Sequence, residues 1–223
     1  MLPVATTVPR VEEAEKTPSE KENEKPQPEE KSPARVSREE LYTQISATSK
    51  LSFSYFVMVV LSAIVAAIGL LNNNVAVIIG AMVIAPLLGP NMALALATTL
   101  GDMNLARKSL KTNLAGLLTG LILALIFGFL LTVDPSNQQI ASRTHIGLID
   151  LILALASEIA GALAFTTGAP TSLIGVMVAV ALMPPLVTLG LMLGSHNFIS
   201  AMGALWLLLT NIICVNLAGV ITF

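Results

Sequence analysis

Ile79-Gly80-Ala81-Met82-Val83-Ile84-Ala85-Pro86-Leu87-Leu88-Gly89-Pro90 is answered 95 positions later by Ile174-Gly175-Val176-Met177-Val178-Ala179-Val180-Ala181-Leu182-Met183-Pro184-Pro185. At that offset Ile79, Gly80, Met82, Val83, Leu87 and Pro90 meet identical residues. Each stretch reads as apolar helix broken by proline. Inside a bilayer a broken helix leaves backbone groups without intrahelical partners, and such a break persists only where protein or a wet cavity satisfies them. Paired breaks in corresponding halves point to a transporter-like core.

The surroundings settle the medium. Of the 223 residues 54% are hydrophobic and only 12% charged. Residues 1–50 hold eight of the twelve Lys and Arg and ten of the fourteen Asp and Glu. The other 173 residues carry four bases (Arg107, Lys108, Lys111, Arg143) and four acids (Asp102, Asp134, Asp150, Glu158). Eight charges cannot cover the surface of a soluble domain of that size, whereas runs of about 20 apolar residues match the hydrocarbon thickness of a bilayer. The chain reads as an integral membrane protein with the lipid bilayer as its first partner. The one basic cluster, Arg107-Lys108-Lys111, borders a span, so nucleic acid is not an expected partner. Cys214 is alone in an apolar run, which excludes a disulfide framework and a thiolate metal site. Residues 1–38 hold no apolar signal-peptide core, so the first span is expected to act as the targeting signal.

Residues 1–36 contain six of the twelve prolines among Glu and Lys, with no aromatic residue, and read as a disordered tail that cannot offset its ordering entropy. Ser37-Arg38-Glu39-Glu40 is a capping-box pattern, which predicts a short interfacial helix over 37–52. The membrane domain, 53–222, reads as six spans near 53–71, 75–100, 113–133, 148–165, 172–193 and 198–222. Asn72-Asn73-Asn74 and Gly168-Ala169-Pro170 occupy corresponding turns. From 75–110 against 170–205, ten of 36 positions are identical without a gap. Each unit holds an odd number of spans, so the second must enter the membrane upside down. The expected fold is therefore an all-α polytopic bundle, a three-plus-three inverted repeat with proline-broken helices. Lys50 and Arg107, Lys108 and Lys111 outweigh Arg143, which by the positive-inside bias places both termini in the cytoplasm.

Asn73-Asn74 through Pro90, Gly101-Asp102, Arg143-Thr144 with Asp150-Leu151, Val178 through Leu186, and Thr210-Asn211 together resemble the hydrophobic membrane family catalogued as domain of unknown function 389. The resemblance spans roughly 53–222 and is carried above all by the G-A-M-x-I-A-P-L-x-G-P string. It implies a prokaryotic-type multi-pass protein, expected in the inner (plasma) membrane. Many members resemble a soluble domain fused to this membrane unit; here a Pro/Glu-rich tail stands in that place. Glu158 lies where the family pattern has small residues.

The candidate residues have two readings each. Pro86, Gly89, Pro90, Pro184 and Pro185 free carbonyls on the preceding turn. They form either a midplane solute or ion site, whose half-helix dipoles favour charge, or kinks that let helices cross closely. Glu158, ten residues into the fourth span, is an expensive acid that marks a site by default, or else a buried helix-to-helix glue; it is expected protonated or hydrogen-bonded, with Asn211 and Asn216 as candidate partners. Asn73, Asn74 and Asn91 supply amides around the first break, either as ligands or as caps. Arg143 has Asp134 and Asp150 as candidate partners. Gly116 and Gly120 form a G-x-x-x-G face for another helix, in this chain or in a second copy of it. His145 and His196 lack a second ligand at metal spacing, so no metal and no other cofactor is expected.

No G-x-S-x-G, H-E-x-x-H or aspartate pair appears, so no enzyme is expected and no catalytic residue is assigned. The leading function is transport or channelling of a small solute or ion through the inverted repeat. The alternative is a non-transporting membrane scaffold or sensor that uses the tail as its effector arm.

Overall fold

The computed structural model describes residues 42, 43, 45–47, 49–144, 147–166 and 171–223, with side chains described outside 165–181. The predicted tail, the Ser37–Glu40 capping box, His145 and the turn at 168–170 lie outside the described residues. Among the described residues regular structure is helical throughout: α1 (Phe53–Leu71), α2 (Val75–Ile84), α3 (Leu88–Leu100), α4 (Met103–Leu130), the one-turn α5 (Gln138–Ala141), α6 (Leu148–Thr166), α7 (Thr171–Gly194) and α8 (Phe198–Thr222). By length and composition α1, α4 and α8 can each cross a membrane, and α2 with α3, bent by 57° at their junction, makes a fourth candidate. Leu114, Leu118, Ile122, Ile126 and Phe129 line the open side of α4, a continuous apolar face that water would not tolerate and lipid does.

One local device makes the turns after α1, α3 and α7. Each helix ends on a residue in the left-handed region, and an Asx residue then starts the next helix. After α1, Asn73 has φ +53°, its N–H reaches the Leu70 carbonyl and the Asn74 N–H reaches the Gly69 carbonyl, a Schellman pair. Asn74 then caps α2, its side chain accepting from the Val77 N–H at 3.2 Å. After α3, Gly101 has φ +68° and Asp102 caps α4 by accepting from the Asn104 and Leu105 N–H groups. After α7, His196 has φ +63°, with its N–H on Leu193 and the Asn197 N–H on Met192, and Asn197 opens α8. Left-handed backbone suits Gly and Asn, while His196 bears the strain of a Cβ there. The His196→Gly variant is expected to gain about 1 kcal/mol of stability, read as a raised unfolding midpoint in detergent.

Contacts fix the relative directions of α1, α2, α4 and α7. Tyr55 donates its hydroxyl to the Thr112 carbonyl at 3.2 Å, and one turn further along α1 Val59 faces Gly120, so α1 and α4 run the same way. Gly69 against Ile78, and Ser62 donating to the Ala81 carbonyl at 2.7 Å, make α1 and α2 antiparallel. The bent α2–α3 pair therefore carries the chain from one end of the bundle back to the other. Gly120 meets Leu186, Ala124 meets Gly190, and Gly128 meets Leu191 and Gly194, so α4 and α7 are parallel neighbours in close contact. Ala95 of α3 and Gly219 of α8 make the corresponding approach on the other side.

Two expectations change. The third predicted span, 113–133, is the later part of a longer helix that starts at Met103 and ends at Leu130. The Asp102 cap starts α4 early, and its first ten residues, bearing Arg107, Lys108 and Lys111, add about 15 Å of helix that hydropathy alone does not register. The second proline pair does not interrupt its helix: α7 runs continuously through Pro184 and Pro185. The missing N–H groups leave the Val180 and Ala181 carbonyls without their usual donors, but α7 is held along its length by α4 and α8, and tertiary packing outweighs the lost bonds.

Candidate functional site

The first break is built as its sequence requires. Ala85 precedes proline and takes an extended conformation, ψ 118°, which ends α2. Pro86 has no N–H for the Met82 carbonyl, so the Ala85 N–H is shared between Ala81 at 3.1 Å and Met82 at 3.3 Å. The Ser62 hydroxyl from α1 adds a second donor to Ala81. Pro90 is the third residue of α3, where the absent N–H costs the helix nothing. Leu87 opens α3 without a side-chain cap, so the first amides of that half-helix point into the break.

Beside those amides lies a polar pair that is fully enclosed. Asn91 is 0% exposed; its Nδ2 donates to the Leu87 carbonyl at 2.7 Å. Asn113, on the third turn of α4, donates its Nδ2 to Asn91 Oδ1 at 2.6 Å, and Asn91 Nδ2 returns a longer contact to Asn113 Oδ1 at 3.4 Å. Buried amides stay paired because a lone one costs about 1–3 kcal/mol. Asn113 is the residue that the proline-centred reading overlooks. Its signal is its place on the buried stripe Ser109, Asn113, Gly116, Gly120, Ala124, Gly128, where one large amide interrupts a run of small residues.

The other candidates divide by location. Asn73 and Asn74 are at the far end of α1: Asn73 accepts from the Gln139 N–H at 3.1 Å while Asn74 caps α2, so both side chains serve the turn and neither joins the break. The 134–144 loop is fastened there, with Asn137 Nδ2 donating to the Leu70 and Leu71 carbonyls. Arg143 donates to the carbonyl and side chain of Gln139 rather than to Asp134 or Asp150, and partial burial pulls its guanidinium below the ordinary arginine value. Gly89 is half-buried at the start of α3, and Pro184 and Pro185 are buried in α7. Gly116 and Gly120 face Tyr55 and Leu186 of this same chain.

Glu158 is 0% exposed on α6, and neither carboxyl oxygen has a hydrogen-bond partner among the described residues. It is apart from the break, within electrostatic reach of Cys214 on α8. Asn211, one turn before Cys214, is buried as well, while Asn216 is half-buried and bonds back to the Ile212 carbonyl. Ser109 Oγ and Thr188 Oγ1 are also buried without a hydrogen-bond partner among the described residues. Two cavities of about 480 and 270 Å³ open at the end of the bundle where α4 and α7 finish, around His196 and Asn197. On the α3 side of the break Leu87, Met92 and Ala93 are fully buried.

Near the opposite end, Tyr42 donates its hydroxyl to Asp102 at 2.9 Å, and Thr112 donates to the Ser49 carbonyl at 2.8 Å. The N–H of Leu105 and the Tyr42 hydroxyl hold the Asp102 carboxyl below its ordinary range. The segment before α1 is thus fastened to the first turns of α4, with Ile45 in the core.

A bent apolar helix, an enclosed amide pair and a buried acid within a bundle of membrane-length helices define a helical membrane protein with polar groups in its interior. More narrowly, the chain belongs to the family described as domain of unknown function (DUF389), whose profile matches residues 82–217, a narrower range than the expected 53–222. It is 42% identical over 206 residues to an uncharacterised protein of Methanocaldococcus jannaschii, an alignment covering 92% of this chain and 63% of that protein. The chain thus spans somewhat less than two thirds of that relative's length. No solved structure gives a significant match.

Proposed function

We propose that this chain is a transporter- or channel-like membrane protein for a small solute or ion, built as six spans in a three-plus-three inverted repeat and bound for the cell membrane of a prokaryote with both termini in the cytoplasm. The observation that carries the reading is the α2–α3 break with uncapped α3 amides beside the enclosed Asn91–Asn113 pair. Backbone dipoles and amides gathered at an interrupted helix are the means by which such proteins replace a solute's hydration shell.

Helix positions support the repeat. Phe53 and Leu148 open α1 and α6, and Met103 and Phe198 open α4 and α8, each pair 95 positions apart. The left-handed Gly101 and His196 obey the same offset, as do the caps Asp102 and Asn197. Contacts obey it in the crossed sense that an inverted pair demands: Ala124 against Gly190 maps onto Gly219 against Ala95 when each partner is moved by one repeat. The continuous α7 differs from the bent α2–α3, so the two halves are unequal and the site belongs to the first break. The archaeal relative agrees with a prokaryotic membrane.

The test is flux. In proteoliposomes, replacing Pro86 and Pro90 together by Ala and Leu is expected to lower solute or ion uptake at least tenfold while the protein remains monodisperse in detergent. Unchanged uptake in that variant, or no uptake across a broad panel of inorganic ions, amines, sugars and amino acids, contradicts the reading. The scaffold or sensor alternative draws on the docked Tyr42–Ser49 segment, and it expects deletion of 1–36 to remove the cellular phenotype with the break variants affecting folding alone.

A further inference from the structure

Glu158 is an acid enclosed in a part of the bundle that contains no cation. Its side chain is fully buried, and both oxygens lack a hydrogen-bond donor among the described residues. Its helix packs against α7 and α8. The sequence of α7, Thr171–Gly194, has no Asp, Glu, Lys, Arg, His or Cys, and α8, Phe198–Thr222, offers Cys214 as its sole titratable side chain. On α6 itself the other charge is Asp150, two turns earlier and exposed at the helix start, where it accepts from the Gly147 N–H. The four basic residues of the membrane domain lie at Arg107, Lys108, Lys111 and Arg143, all in other elements. An isolated carboxylate in such surroundings would cost many kcal/mol, so the counter-charge must be mobile.

We propose that Glu158 is a proton-binding site, and that the protein couples its solute step to binding and release of that proton. In the packed arrangement the carboxyl carries the proton as COOH. When the bundle opens, the O–H bond breaks, the proton passes to solvent, and the carboxylate is matched by solvent or an entering cation until it takes up a proton from the other side. The same acid disfavours an anionic solute. Pseudo-symmetry shows that the site is confined to one half: the position equivalent to Glu158 is Ala63, which is buried in α1.

The proposal rests on the transport reading for its coupling but not for its proton, and the experiment separates the two. Purified full-length protein in liposomes is followed by infrared spectroscopy as pH is raised, using the carbonyl stretch of a protonated carboxylic acid and its shift in deuterium oxide. The wild type is expected to show that band at neutral pH, E158Q to lack it, and D134N and D150N to keep it. Vesicles loaded with a pH-sensitive dye then report proton movement driven by a potassium diffusion potential, expected to fall at least tenfold in E158Q. Absence of the band from the wild type at neutral pH, or its persistence in E158Q, overturns the proton site even if solute flux is robust. A band that obeys the prediction, with no flux of any kind, upholds the proton site and removes the coupling and the transport reading together. The wild-type titration decides the proton site whether or not E158Q folds.

Discussion

Gly128→Ala is expected to destabilise the protein by about 2–3 kcal/mol, although it adds one methyl group to a residue in mid-helix. A Cβ at Gly128 would lie 2.8 Å from the Leu191 Cα and 2.9 Å from its carbonyl carbon, and it would also press on the Leu191 carbonyl oxygen. These are backbone atoms of α7, so no rotamer change relieves the contact. Lipid supplies no hydrophobic force to push helices together, and close van der Waals approach of small residues does that work instead. The α4–α7 contact is therefore sensitive at Gly128, Gly190 and Gly194. Gly80→Ala is the matched control: a Cβ there meets nothing within 4 Å, and the better helix former is expected to be neutral or to gain up to about 1 kcal/mol. Unfolding in mixed micelles measures both. Equal midpoints for Gly128→Ala and Gly80→Ala would contradict the packing.

The second large effect concerns the amide pair. Asn91→Leu alone leaves the Asn113 amide enclosed without its 2.6 Å partner, and Asn113→Leu leaves Asn91 with the Leu87 carbonyl alone. Each single variant is expected to lose about 1–3 kcal/mol. The double variant is expected to recover most of that, because two apolar side chains leave no buried amide unpaired; Leu186 and Leu208, each 95 positions on, are both buried apolar residues. A coupling energy of about 1 kcal/mol or more in the double-mutant cycle is the predicted signature. The double variant also divides structure from function, since it should fold yet fail to carry solute. Additive losses would remove the pair as a unit, and normal flux in the folded double variant would remove it from the site.

Much of this architecture could be read from residues alone, and the reasons are local. Pro86 ends α2 because the residue before proline is driven to extended backbone, and Ala85 obeys. Phe198 and residue 222 bound α8 as expected, and Asn72-Asn73-Asn74 forms the turn that three successive asparagines suggest. Proline is a weaker signal inside a packed bundle: Pro184 and Pro185 carry the same chemistry as Pro86 and Pro90 but lie within a continuous α7. What differs is the neighbourhood, since neighbours along α7 hold the helix through the missing bonds. Hydropathy located where α4 is apolar and missed where it begins, because the Asp102 cap and the basic turns belong to water. Asn113 is not legible from the proline breaks, because it reaches Asn91 from a different helix across the α3–α4 contact.

Cysteine mapping of sidedness bears on the whole account at once. Cys214 is the single cysteine and is buried, so Cys214→Ser gives a background free of thiols. Single cysteines at Asn72, Ser136, His196, Asn104 and Phe223 are then treated in sealed cells with a membrane-impermeant thiol reagent. Asn72, Ser136 and His196 are predicted to label from outside, with Asn104 and Phe223 labelled only after the membrane is opened. Asn72 and Asn104 labelling from the same side would mean that the Pro86–Pro90 segment re-enters without crossing, and Ser136 and His196 labelling from opposite sides would dissolve the inverted repeat.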